Sequence, residues 1–137
     1  MKPLLIYYAD DDIDDLNIFT EASDYFGHST RQFFNGTDLL NDLMSSETKP
    51  DLILLDYFMP EVDGLEILKK IRAAGFGIPV VIISGISPIN KQLEFLKQGA
   101  NYLIDKPVSF KAHQQNIETL SQIDWQTFRF RLEDFSE

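Results

Sequence analysis

Cysteine is absent from the 137 residues of the chain, which excludes a disulfide framework, a thiolate zinc site and a thiol nucleophile. Long apolar runs are absent too. No stretch approaches the ~20 residues of a membrane span. The opening run, Leu4 to Ala9, is too short for a signal peptide, and Asp10 ends it at once. Positive charge is scarce: 12 Lys and Arg against 22 Asp and Glu give 12 − 22 = −10, with a pI near 4.5. That balance repels phosphate backbones and anionic membrane surfaces, so neither nucleic acid nor membrane is an expected partner. Repeats, linkers and low-complexity segments are missing as well. These absences together lead to the expectation of a cytoplasmic location.

What is present is globular. A composition of 44% hydrophobic and 12% aromatic residues suits one domain. A chain of this length can bury roughly 68–70% of its unfolded surface. Strand-length apolar runs alternate with segments of helical period. Leu4–Ala9 is continuously apolar and predicts a fully buried first strand. Leu16, Phe19, Ala22 and Phe26 follow at helical spacing, and Gly27 can end that helix. Thr30–Phe34 is a weaker strand, after which Asn35-Gly36 turns into a helix carrying Leu39, Leu40, Leu43 and Met44. Asp51–Asp56 is the clearest buried strand, followed by a helix over Gly64–Ala74. Val80–Ile83 and Tyr102–Ile104 make the fourth and fifth strands, separated by a helix that starts near Ser87-Pro88 and ends at Gly99. Ser109 can cap a last helix holding Phe110, Ile117, Leu120 and Ile123.

Five strand–helix units in succession predict an α/β fold: a parallel, doubly wound sheet of order 2-1-3-4-5. In such sheets ligands sit beyond the carboxyl ends of the strands. Asp10-Asp11-Asp12 stands at the end of strand one, Asp56 at strand three, Ser84-Gly85 at strand four and Asp105-Lys106 at strand five. Asp10, Asp11 and Asp56 would therefore converge. Two carboxylates about 4 Å apart repel by roughly 4 kcal/mol at an effective dielectric near 20. Three need a raised pKa or a cation, and Mg²⁺ with its oxygen ligands is the natural one. Asp12, Asp14 and Asp15 read instead as first-turn caps that complement the helix dipole. Ser84 and Lys106 are each ordinary alone, but on the same edge they supply a hydroxyl donor and a cation facing metal-bound carboxylates. Phosphoryl transfer asks mainly for such positioning and charge neutralisation, and an aspartate can serve as its nucleophile.

These residues carry a family resemblance. Asp10-Asp11, Asp56-Tyr57-Phe58-Met59-Pro60-Glu61-Val62-Asp63-Gly64, Ser84-Gly85 and Lys106-Pro107 stand in the order and spacing of response-regulator receiver domains. The resemblance covers Leu4 to Ile123. The Asp-rich start also resembles a subgroup of stand-alone receivers, some partnered with photoreceptor kinases. It implies a flavodoxin-like fold and a phosphate-accepting switch rather than an enzyme. Asp56 would be the phosphoacceptor, and Asp10, Asp11, Asp56 and the Phe58 carbonyl would hold Mg²⁺. Ser84 would be the switch hydroxyl, and Lys106 would pair with the phosphoryl group. The donor would be a sensor histidine kinase or a histidine phosphotransfer protein, and a downstream protein would read the changed surface. A cis Lys106–Pro107 bond is also expected from the family.

Some positions depart from that pattern. Leu103 stands where many receivers have a switching aromatic, and strand alternation turns Tyr102 to the other face. Phe58 and Ile86 are apolar where polar groups are common, so they should hinder an attacking water and give a long-lived phosphoryl group. The receiver would span residues 1–123 without an output domain. Residues 124–137 would form a short aromatic extension with Trp125, Phe128, Phe130, Leu132 and Phe135. This tail either folds over its own domain or, with the last helix, contacts a second copy or another protein. His28 and His113 lack metal-ligand spacing. Two alternatives stay open. A haloacid-dehalogenase-type phosphatase would use Asp10-x-Asp12 but leave Asp56 and Met59-Pro60 unexplained. A receiver-like interaction module would never be phosphorylated.

Overall fold

The computed structural model describes residues 2–85 and 89–126. Among the described residues, five strands and five helices alternate strictly: β1 (Leu5–Ala9), α1 (Ile13–Tyr25), β2 (Ser29–Phe33), α2 (Gly36–Ser45), β3 (Leu52–Asp56), α3 (Gly64–Ala73), β4 (Val80–Ser84), α4 (Ile89–Lys97), β5 (Tyr102–Asp105) and α5 (Phe110–Gln122). All strand pairs are parallel, in the order β2-β1-β3-β4-β5. The helix starts follow the capping chemistry of the sequence. Asp12, Asn35, Asp63 and Ser109 each accept a backbone N–H of the first turn that would otherwise have no partner.

The period of two along each strand sorts the core into two layers. Tyr7, Ala9, Ile53, Leu55, Val80 and Ile82 face α2, α3 and α4, where Leu39, Leu43, Leu68, Ile71 and Phe95 meet them. Ile6, Tyr8, Leu52, Leu54, Val81 and Ile83 face α1 and α5, against Leu16, Phe19, Ile117 and Leu120. β3 and β4 are buried along their whole length, which is why they are apolar up to Asp56 and Ser84 at their carboxyl ends. β2 lies at the sheet edge with exposed positions, and there the sequence turns polar. In β5, Leu103 packs toward the α2–α4 layer and Tyr102 toward the α1–α5 layer, as alternation requires.

Trp125 returns onto the α1–α5 layer, its ring edge-on to Tyr102 and its Nε1 donating to the Leu120 carbonyl at 3.1 Å. Phe128, Phe130, Leu132 and Phe135 lie outside the described residues, as does Ile86. One expectation is corrected: the Lys106–Pro107 peptide is trans. Trans is the intrinsically lower isomer by about 0.5–1 kcal/mol, and in that form the Lys106 amine already reaches Asp10 and Asp56. No helix among the described residues is long and apolar enough to cross a membrane.

Candidate functional site

The backbone ladder continues one step past the strand ends and fixes what stands there. Asp10 N–H donates to the Phe33 carbonyl at 3.0 Å, Tyr57 N–H to Ile83 at 2.7 Å and Lys106 N–H to Ser84 at 2.7 Å. Asp10, Asp56, Ser84 and Lys106 are thus carried by four adjacent strands to one edge. Asp10 is fully buried and Asp56 is 5% exposed. Carboxylate oxygens of Asp10, Asp11 and Asp56 lie within 4.8 Å of one another, with Asp11 open to solvent. These are hard oxygen donors crowded at a mouth reachable from water, a donor set that suits a divalent cation such as Mg²⁺.

Lys106 is the counter-charge. Its Nζ lies 2.7 Å from Asp10 Oδ2, 3.0 Å from Asp56 Oδ2 and 3.2 Å from Asp15 Oδ2. One ammonium therefore faces three carboxylates, and Asp11 adds a fourth nearby. Burial first, and then the charge of Asp10, push the Asp56 carboxyl up to about 7, with Lys106 pulling the other way. Burial lowers the Lys106 pKa, but its bonds to Asp10 and Asp56 outweigh that and hold the ammonium above its ordinary value. Asp10 is held at both oxygens: Oδ1 accepts Asp12 N–H at 2.9 Å, and Oδ2 accepts Tyr8 Oη–H at 2.7 Å besides Lys106, which leaves Oδ1 a lone pair for a cation.

The loop after Asp56 explains its own sequence. Val62 N–H bonds the Pro60 carbonyl at 2.8 Å around Glu61, whose φ is +69°. A γ-turn of that hand is strained, and such strain gathers at functional loops. Gly64 N–H then donates to the Tyr57 carbonyl at 2.9 Å. A Cβ on Gly64 would stand 2.7 Å from the Asp56 carbonyl oxygen, so only glycine lets α3 start this close to the acid. Phe58 stands at the rim, 74% exposed, its ring edge-on to Tyr57. Ser84 ends β4 on the same edge, nearly buried, with its hydroxyl donating to the Gly85 carbonyl at 3.2 Å.

Three participants escape a reading by motif. Asp15 is more than a cap: it turns inward to Lys106, and its Oδ1 lies 3.1 Å from Nε2 of the buried His113. Helical spacing held the signal, since Asp15 is four residues before Phe19 and His113 four before Ile117, both core positions. Tyr8 reaches Asp10 because residues two apart on a strand share a face. Asp12, by contrast, is exposed, its carboxylate engaged as the α1 cap with Asp14 and Asp15 N–H while its own N–H donates to Asp10. That engagement speaks against Asp12 as the second acid of an Asp10-x-Asp12 phosphatase.

A doubly wound sheet of order 2-1-3-4-5 with an acidic cluster and a lysine at its carboxyl edge defines a class of phosphoryl-accepting signalling domains. The family model for the response regulator receiver domain matches residues 6–118, and the chain belongs to that family. Among curated relatives, the transcriptional regulatory protein ZraR of Salmonella typhimurium is 34% identical over 114 residues, 82% of this chain and 25% of ZraR. Response regulator MprA of Mycolicibacterium vanbaalenii is 28% identical over 109 residues, 80% of this chain and 46% of MprA. The chain thus spans a quarter to just under half of these relatives. Among solved structures, the receiver domain of the Francisella response regulator 1452 aligns with a TM-score of 0.74 at 26% identity, over 85% of this chain and 95% of that one. The phosphorylated cyanobacterial phytochrome response regulator RcpA gives 0.79 at 22% identity, over 94% and 98%, and shares the fold.

Proposed function

We propose that Asp56 accepts a phosphoryl group from a phosphohistidine on a sensor histidine kinase or histidine phosphotransfer protein. The observation that carries this is the excess of carboxylate over cation at the sheet edge: Asp10, Asp11 and Asp56 converge, and Lys106 bridges two of them. Asp10, Asp11, Asp56 and the Phe58 carbonyl would hold Mg²⁺. Bound there, the ion would offset the charge of the carboxylates and of the incoming phosphoryl oxygens.

In the transfer, an Asp56 carboxylate oxygen forms a bond to phosphorus as the donor's P–N bond breaks. The imidazole nitrogen leaves with the electron pair. Asp10, already tied to Tyr8 and Asp12, stays fixed and presents Lys106 to the reacting oxygens. Phosphorylation adds about −1.5 to −2 charge and strong acceptors. The Lys106 ammonium and the Ser84 hydroxyl donate to them, drawing the loops after β4 and β5 toward Asp56. The surface formed by α4, β5 and α5 then changes for a downstream protein partner. Leu103, half-buried against the α2–α4 layer, would keep its place through this change, and the switch would run without an aromatic at that position.

The test is intact mass after incubation with acetyl phosphate and Mg²⁺. One phosphoryl adduct is expected, lost with chelator and in Asp56→Asn. A folded protein that gains no adduct would overturn the reading and leave a partner-binding module that is not phosphorylated.

A further inference from the structure

The Lys106 ammonium has three hydrogens and three carboxylate partners, and the longest contact is the one to Asp15. Asp15 sits in the first turn of α1, where an acidic side chain ordinarily faces water or the cap. Here its two oxygens are divided: Oδ2 to Lys106 at 3.2 Å and Oδ1 to His113 Nε2 at 3.1 Å. His113 stands on α5 among the buried residues Ile117 and Leu120, and its side chain is 3% exposed. A ring nitrogen facing a carboxylate at this distance carries the hydrogen and donates it. The imidazole therefore holds Asp15 turned inward, and α5 is wired through Asp15 to the lysine of the site.

We propose that Asp15 and His113 form a brake on phosphorylation. Asp15 competes with a phosphoryl group on Asp56 for Lys106, and His113 is the positioning residue that keeps Asp15 in place to do so. Two consequences of the geometry act in the same direction. A phosphoryl oxygen that recruits Lys106 must draw the ammonium away from its present acceptors, and Asp15 is one of them. Asp15 also places a negative charge beside the point where further negative charge arrives, in a partly desolvated setting where repulsion is poorly screened. Losing the His113 donor frees the Asp15 carboxylate to rotate toward solvent, since that side chain is already partly exposed. The inference rests on Asp56 being the acceptor.

The experiment measures the initial rate of adduct formation with acetyl phosphate and Mg²⁺ by intact mass, with urea midpoints recorded for every variant. Asp15→Asn is expected to accelerate it by about three- to tenfold, the effect of removing one nearby unit charge. His113→Leu should accelerate it by less, and His113→Gln, which can place an N–H near the same point, should restore the wild-type rate. In the Asp15→Asn background, His113→Leu should change nothing further, because His113 acts through Asp15. A purely structural His113 would move the urea midpoint while leaving that rate pattern unformed. A second readout needs no phosphorylation: the Lys106 ammonium signal in nitrogen-15 NMR should exchange faster with water in both single variants. An unchanged or slower rate in Asp15→Asn, or an effect of His113→Leu that persists without Asp15, would overturn the brake alone. An adduct missing from the wild type would overturn the Asp56 reading, and the brake with it.

Discussion

The two edges of the sheet use polar side chains in opposite ways. At the amino edge two side-chain networks close a count, although the Ser23 and Thr30 hydroxyls stay buried without a hydrogen-bond partner. Arg72, on α3, donates to the carbonyls of Gly99, Phe76 and Ile78 and to Asn101 Oδ1, all within 3.2 Å. Asn101 Oδ1 also accepts Val80 N–H. His28 takes Leu4 N–H on Nδ1 and faces the Ser121 hydroxyl through Nε2, and Ser121 passes its hydrogen to the Ile117 carbonyl. Each of these donors meets an acceptor, and the arrangement is satisfied as folded. At the carboxyl edge the count does not close: one ammonium serves three carboxylates, and a fourth stands beside them. A satisfied network holds a fold, whereas an unbalanced one is completed by something that binds. That contrast is the ground on which the proposed function is assigned to the carboxyl edge.

Breaking the closed edge should have the largest effect on stability and little on chemistry. Arg72→Met leaves several buried carbonyls without a donor, and we expect a loss of about 2–4 kcal/mol in urea unfolding. The rate of adduct formation at Asp56 should stay unchanged under conditions where the variant is folded. At the open edge the expected effect is on lifetime instead. Phe58 is an exposed apolar rim beside Asp56, and Phe58→Gln supplies a group able to orient water there. The phosphoryl half-life, followed by mass, should shorten on the order of tenfold. An unchanged half-life would remove Phe58 from the account of a long-lived signal.

The smallest effect is a pH dependence at the closed edge. Burial lowers the His28 pKa below its ordinary 6.5. The unfolded chain then takes up the proton first, so stability is full above about 6.5 and declines as pH falls toward the folded value. His28→Asn keeps an acceptor for Leu4 N–H but has no ring to titrate. Its unfolding midpoint should decline less than the wild type's between pH 7 and 5.

Much of the fold and of the site is legible in the order of residues alone. The alternation of apolar runs with helical periods reveals the element order, because a buried parallel strand has little choice but Val, Ile and Leu. The strand-end acids, Ser84 and Lys106 are legible because topology alone brings strand ends together. The pairing of Asp15 with His113 is not: helical spacing turns each toward the core, but only the packing of α1 on α5 joins them. A first-turn acid such as Asp15 has a local explanation, as a cap, that conceals the long-range one. The need for Gly64 is equally hidden: a motif shows that glycine is there, but only the approach of α3 to the Asp56 carbonyl shows why.

The central claim, that uncompensated negative charge at the carboxyl edge makes the site, is tested most directly by comparing wild type with Asp56→Asn. Urea unfolding of both would be measured from pH 4 to 8, with chelator and with Mg²⁺. The folded Asp56 carboxyl is raised to about 7 from 3.8, so without metal the wild type binds a proton on folding in that range. Its stability should therefore fall relative to Asp56→Asn as pH rises from about 4 to 7, by on the order of 3 kcal/mol, and level off above. At pH 8, Mg²⁺ should raise the wild-type midpoint and leave Asp56→Asn nearly unmoved. A stability difference flat with pH, together with equal responses of the two proteins to Mg²⁺, would contradict the account.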